Sequence, residues 1–250
     1  MHTDTEAIVF KQIKASGGRR MILLFTAKYG KISAGTSLTE RNRSKAALAL
    51  RPFTHGRYEL NRMRDQYFLN GAEAIRSHYA LGEDVDKYLH ASYVMELTEK
   101  LLPEEAPAPE LFRLLRDFLE MMETRSKAYL ALVTAYTAKA IWLCGSGPVV
   151  DSCVFCGAKE NLTAFSVSNG GAVCENCRQT FSGNERLIYD TEFDIVRVLR
   201  YFQEQPFRNF EKLTLDQRLL ARLRELLRTW MIRYLDIGEL KSESLLSGER

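Results

Sequence analysis

Ala7-Ile8-Val9-Phe10-Lys11-Gln12-Ile13 and Arg20-Met21-Ile22-Leu23-Leu24-Phe25-Thr26 flank a small-residue run, Ala15-Ser16-Gly17-Gly18. Both runs are short and rich in β-branched and aromatic residues, and the glycine pair supplies the reversal a hairpin needs. Tyr29-Gly30-Lys31 is a second turn, leading into Ile32-Ser33-Ala34-Gly35. A polar, basic loop over residues 36–45 follows, then residues 46–53, then residues 55–61 with alternating character. About five short strands within the first seventy residues, with no long helix, predict a small barrel such as an OB-fold. An SH3-like barrel would give nearly the same pattern.

From residue 70 onward the period becomes helical. Asp84 to Leu102 forms one helix whose apolar face is Val85, Leu89, Tyr93, Leu97 and Leu101, and Pro103 stops it. Residues 103–109 hold three prolines and read as a stiff connector, with Pro109 suited to the first turn of a helix reaching about Glu123. Further helices are expected from Ser126 to about Cys144 and from Thr191 to Gln203. Thr214 and Gln217 make a capping-box start for a long helix to Ile237, stopped by Gly238. Leu215, Leu219, Leu223, Leu226 and Trp230 form its inward stripe, which is core.

Between the helix ending near Cys144 and the one starting at Thr191 lie two Cys-x-x-Cys pairs, Cys153/Cys156 and Cys174/Cys177, with seventeen residues between them. Two residues between paired cysteines let one tight turn aim both sulfurs at a point, and a structural zinc closes its tetrahedron with four such ligands. The expectation is one structural Zn²⁺ in a ribbon spanning about residues 150–182. Disulfides fit less well: Met1 to Glu6 carry no secretory signal, and a fifth cysteine, Cys144, is left over, so a reducing cytoplasm is the expected setting. A thioredoxin-type site would need its pair at the start of a helix after a strand. Cys144 ends an apolar stretch and reads as a small hydrophobe.

Catalysis has little support. Four histidines are scattered, and no Gly-Lys-Ser/Thr loop exists to cradle a phosphate. No apolar run reaches the roughly 20 residues of a membrane span. The net charge of +3 is bland for the whole chain, but residues 1–80 hold fourteen Lys/Arg against six Asp/Glu. A basic head on a mildly acidic body points to a polyanionic partner. Within the head, Arg19, Arg20, Lys28, Lys31, Arg41, Arg43 and Lys45 recur at turns and in one loop, interleaved with Tyr29, Phe53 and Tyr58. Cations that neutralise phosphates beside rings that stack bases make a sequence-tolerant single-strand binder, whereas Phe53 and Tyr58 taken singly read as barrel core.

The chain resembles the bacterial RecO family of recombination mediators. The resemblance rests on Ala7-Ile8-Val9-Phe10-Lys11, residues 25–33, Leu50-Arg51-Pro52-Phe53, Tyr93-Val94-Met95-Glu96-Leu97, the cysteine quartet and Glu239-Leu240-Lys241-Ser242, in that order. It implies an α+β protein: an OB-fold DNA-binding domain over residues 1–80, then a helical domain over residues 81–250 with an inserted four-cysteine zinc ribbon. It also implies a non-enzymatic, cytoplasmic repair factor that binds single- and double-stranded DNA and anneals complementary strands. With RecR it would help load a RecA-type recombinase onto strands coated by single-strand-binding protein (SSB). By motif, Lys28 and Lys31 fall on the family's basic turn, and Arg41, Arg43 and Lys45 on its basic loop. The acidic, apolar tail of SSB would need a groove ringed by cations; Arg113, Arg116 and Arg125 lie in the helical body without a motif that assigns them. The rival from another class is a zinc-ribbon regulator that binds particular duplex sites, which should carry a recognition helix with clustered Arg and Asn.

Overall fold

A computed structural model describes residues 2–14, 20–38, 45–181 and 194–243. The chain divides into two compact units, Met1–Ser126 with Leu240–Arg250, and Lys127–Glu239.

Five strands open the first unit: β1 (His2–Lys14), β2 (Arg20–Thr26), β3 (Gly30–Thr36), β4 (His55–Met63) and β5 (Gln66–Arg76). They close in the order β1-β2-β3-β5-β4. All neighbours are antiparallel except β3 and β5, which run parallel, and β1 pairs β4 to seal the cylinder. This is OB topology. One strand serves two neighbours because β1 bends at a bulge between Val9 and Lys11: its first half pairs with β4, its second with β2. Phe53, held at φ 71, donates its N–H to Val9 O beside that bulge.

Alternation decides what faces inward. Val9, Ile22, Leu24, Ile32, Tyr58, Leu60, Tyr67 and Leu69 fill the barrel. The Tyr58 hydroxyl is satisfied there by donating 2.6 Å to Ala49 O, and burial pushes its pKa upward. Tyr58 and the 7 % exposed Phe53 are therefore core and not stacking platforms. The count of five strands holds, but not the membership. Residues 46–53 are not a strand; a short helix, α1 (Lys45–Ala49), occupies their start. The fifth strand is β5, which runs on to Arg76 where the sequence pattern predicts a helical period from residue 70.

Two helices complete this unit, α2 (Val85–Leu101) and α3 (Pro109–Thr124). Asp84 caps α2 by accepting the Lys87 N–H, and Pro109 opens α3. Val85 is 74 % exposed and not part of the buried face, which instead takes in His90, Val94 and Thr98. The unit's last piece arrives from the end of the chain. Glu96 accepts the Lys241 N–H at 3.0 Å and both the N–H and hydroxyl of Ser242 at 2.9 and 2.7 Å. Burial raises the Glu96 pKa, but these donors outweigh it and hold the carboxyl below its ordinary value. The clasp therefore stabilises the fold above the ordinary carboxylate range and weakens as pH falls through the lowered value. Glu96→Gln should loosen it by about 1–3 kcal/mol. Faster amide exchange at residues 241–242 near neutral pH, converging with wild type in acid, is the expected signature; identical exchange at neutral pH would contradict it.

The second unit packs α4 (Tyr129–Leu143), α6 (Ile195–Glu204) and α7 (Gln217–Leu235) around a ribbon of β6 (Leu162–Ser166), β7 (Gly171–Cys174) and the short α5 (Glu175–Thr180). Trp230 on α7 meets Phe165 of β6 with ring centroids 5.9 Å apart, and the Tyr234 hydroxyl donates to Val167 O. The ribbon is thus continuous with the core. The α7 cap differs from the expected box: Asp216, not Thr214, accepts the Arg218 and Leu219 N–H groups, and Asp236 in the left-handed region ends the helix before Gly238.

Candidate nucleic-acid interface and four-cysteine centre

The basic residues of the head divide between the two ends of the barrel. Arg20 opens β2 and pairs in register with Lys14 and with Thr36, the last residue of β3. Lys28 lies in the turn after β2, about 20 Å away along a strand rising ~3.3 Å per residue. Arg19, Arg41 and Arg43 lie outside the described residues, and Lys45 is the first residue of α1.

Lys31 also makes contacts within the protein. Its side chain is 14 % exposed, its ammonium donating 3.1 Å to Glu99 O and pairing with Glu104 at 3.3 Å. It ties the β2–β3 hairpin to the end of α2. Lys28 is exposed and donates to Asp4 O at 2.7 Å. It lines a cavity of about 480 Å³ together with Arg57, Arg113 and Arg116, with Ala27, Pro109 and Phe112 supplying apolar wall and Asp4 and Glu6 acidic edge. Arg113 and Arg116 stand three apart on α3 and so share a face. Sequence reasoning missed Arg57; its outward position on the alternating β4 was the available signal.

The four cysteines converge. Cys153 and Cys156 sit on a turn, Cys174 ends β7 and Cys177 lies on α5, and their sulfurs are all within 4.8 Å of one another. A tetrahedron with metal–sulfur bonds near 2.3 Å has edges of ~3.8 Å, so the spacing suits one ion. Burial pushes the Cys153 thiol up, yet backbone N–H groups of Cys174, Cys156 and Phe155 override it and hold it down to about 6. Cys177 is pushed up to about 12 by the neighbouring sulfurs of Cys156 and Cys174. Amides that favour thiolate, around sulfurs that resist ionising together, describe a nest completed by a cation. Beside it, Arg178, Gln179 and Thr163 converge on Glu175 and fix the first turn of α5. This centre can hold a metal ion. Cys144 is separate from it, its thiol raised by burial.

A closed OB barrel followed by helices and a four-cysteine ribbon defines an α+β protein of the OB-fold class. No helix among the described residues is long and apolar enough to cross a membrane. The model of the Recombination protein O N terminal domain matches residues 1–78, and that of its C terminal domain residues 82–244. The chain therefore belongs to the RecO family and is a DNA repair and recombination protein. It is 33 % identical over 209 residues to the DNA repair protein RecO of Caldanaerobacter subterraneus subsp. tengcongensis, covering 84 % of this chain and 82 % of that one. The DNA repair protein RecO of Thermoanaerobacter sp. (strain X514) is 29 % identical over 97 % of this chain and 96 % of its own. That of Pelotomaculum thermopropionicum is 31 % identical, with coverage of 96 % and 92 %.

Proposed function

We propose that the protein is a recombination mediator that binds single- and double-stranded DNA, anneals complementary strands and, with RecR, helps load a RecA-type recombinase onto SSB-coated strands. The observation that carries this reading is the closed OB barrel, within a head of fourteen Lys/Arg against six Asp/Glu in a chain whose net charge is only +3. The barrel, residues 1–80, is the DNA-binding domain; residues 81–250, with the ribbon at about 150–182, recruit partners. Arg20 at its end of the barrel, together with Arg19, Arg41, Arg43 and Lys45, neutralises phosphates. Two backbones screened in this way approach each other without nucleotide hydrolysis. One structural Zn²⁺ on Cys153, Cys156, Cys174 and Cys177 holds the ribbon.

The cavity lined by Lys28, Arg57, Arg113 and Arg116 suits the acidic, apolar tail of SSB, because its cations surround the apolar wall of Phe112 and Pro109. Lys28 serves this seat and any strand that passes the same end of the barrel.

The test is strand annealing across a salt series. Acceleration that needs no ATP and fades with salt is expected. Reversing Arg19, Arg20, Arg41 and Arg43 to Glu should flatten the slope of log affinity against log salt by about 3, at ~0.7 per phosphate for single strands. Arg113→Glu should slow annealing of SSB-coated strands while leaving bare strands alone. Unaltered slopes in the quadruple variant would remove the DNA assignment, and no acceleration by wild type would turn attention to selection of duplex sites.

A further inference from the structure

Part of the barrel's positive charge is already spoken for. Lys11 of β1, Lys31 of β3 and Arg62 of β4 each meet a carboxylate from the stretch that runs from the end of α2 into the connector before α3. Lys11 Nζ stands 2.6 Å from Glu99 Oε1, Lys31 Nζ 3.3 Å from Glu104 Oε1, and the Arg62 guanidinium 3.2 Å from Glu105 Oε2. Lys31 also donates to the Glu99 carbonyl in the last turn of α2, where the helix dipole adds partial negative charge.

Backbone contacts bring these carboxylates to the barrel. Glu104 forms an isolated parallel bridge with Lys31, and the Glu105 N–H donates to Lys31 O at 2.9 Å. Glu105 is left-handed, at φ 53, and so bends the chain where two neighbouring acidic side chains reach β3 and β4. Pro103, Pro107 and Pro109 stiffen the connector on either side of this bend. The result is an acidic strap seated by its backbone, with its charged ends open to water.

The charged ends are loosely held. The Glu104 side chain is 65 % exposed and that of Glu105 44 %. Ion pairs this open to solvent contribute little to stability and are screened by salt, so a role as structural braces does not account for them. A carboxylate on Lys or Arg occupies the place a phosphate would take, because both anions accept the same charge-assisted hydrogen bonds. An exposed pair of this kind exchanges one anion for another at little cost.

We propose that Glu99, Glu104 and Glu105 form an autoinhibitory strap: they stand in for phosphate on Lys11, Lys31 and Arg62, and a nucleic-acid strand engages these cations only by displacing them. The strap rests on the nucleic-acid reading of the barrel and adds regulation to it. While it is seated, affinity is set by the cations outside it. Displacement returns the carboxylates to water and lets Lys11, Lys31 and Arg62 neutralise further phosphates.

The experiment measures binding of the full chain to a roughly 16-nucleotide oligothymidine at several salt concentrations. Glu104→Gln with Glu105→Gln is expected to tighten binding about tenfold and to steepen the slope of log affinity against log salt by about 1.4, at ~0.7 for each of the two uncovered cations. The thermal transition of this variant should stay close to that of wild type. Arg62→Gln should leave wild-type binding within about twofold, because the cation is covered, yet remove a large part of the gain when added to the strap variant. Glu83→Gln with Asp86→Asn, two exposed acidic residues of the same unit, makes the same change in net charge and should give a far smaller gain. Wild-type affinity in the strap variant, while wild type binds with its ordinary salt dependence, would overturn the strap and leave the DNA reading intact. An equal gain in the Glu83, Asp86 control would also overturn it, as would a gain that survives Lys31→Gln and Arg62→Gln together. Lower thermal stability without tighter binding would make the pairs braces and overturn it in the same way. No binding of oligothymidine by wild type or by the strap variant would bring down the DNA reading, and the strap with it.

Discussion

Replacing Cys174 and Cys177 together by serine should unfold the ribbon and much of the second unit with it. Cys174 is 4 % exposed and pairs with Leu162 at the end of the two-stranded sheet, so the metal nest and the sheet share a residue. The sheet is small, and its hydrophobic side, Phe165, Ala172 and Val173, is fully buried in the same unit. With the sulfurs gone, the turn at Cys153 and the start of α5 have no common anchor. Structural zinc is part of the folding free energy, and loss of such a site destabilises by about 4 kcal/mol or more. For a chain of this size that is a fall of about 10 °C in the thermal transition. Wild type treated with a strong chelator should show the same fall, and readdition of zinc should reverse it. Retained stoichiometric zinc in the double variant, or an unchanged transition in both samples, would show that the cysteines do not hold the ribbon.

The second large effect is expected at Gly30. Its φ of +69 is left-handed backbone, and a Cβ built there runs into the carbonyl of Ala106, where the chain between α2 and α3 lies against the β2–β3 hairpin. The contact is extended by Glu105, which donates its N–H to Lys31 O at 2.9 Å. Gly30→Val adds a conformational penalty to a backbone collision that no rotamer relieves, so a loss of about 4 kcal/mol or more is expected. Gly145 supplies the control: its φ is +73 but nothing stands within 4 Å of its would-be Cβ. Gly145→Ala should cost only about 1–2 kcal/mol, the conformational part alone. Equal effects at the two sites, measured by denaturant titration, would show that the Ala106 contact yields easily.

Elements with one strong local signal were legible in the sequence. β1 and β2 announce themselves by β-branched runs around a glycine turn, α3 by Pro109 at its start, and the cysteine nest by spacing alone. What was missed depended on partners distant in the chain. Gln66-Tyr67-Phe68-Leu69-Asn70 alternates with period two, but the run is short and followed by alanines, and only pairing with β3 and β4 fixes it as a strand. The charge of Lys31 is plain in the sequence; its contacts are not, because Glu99 and Glu104 reach it only once α2 is in position. Likewise Lys28, Arg57, Arg113 and Arg116 have no common motif, and become a set only when β4, the β2–β3 turn and α3 surround one cavity.

The clasp between Glu96 and Ser242 bears on how the protein is made. Its two halves are 146 residues apart in sequence, and everything in the second unit is synthesised between them. At roughly 5–20 residues per second, a ribosome that has delivered Glu96 needs some 7–30 s before Lys241 and Ser242 are even polymerised. During that interval the barrel and its two helices must persist on the nascent chain with one carboxylate unclaimed, and the second unit is threaded out as a loop whose ends belong to an earlier-folding neighbour. The barrel unit is thus first to begin and last to be finished, and a messenger truncated anywhere between α3 and Lys241 yields a domain that is recognisably assembled but unlatched.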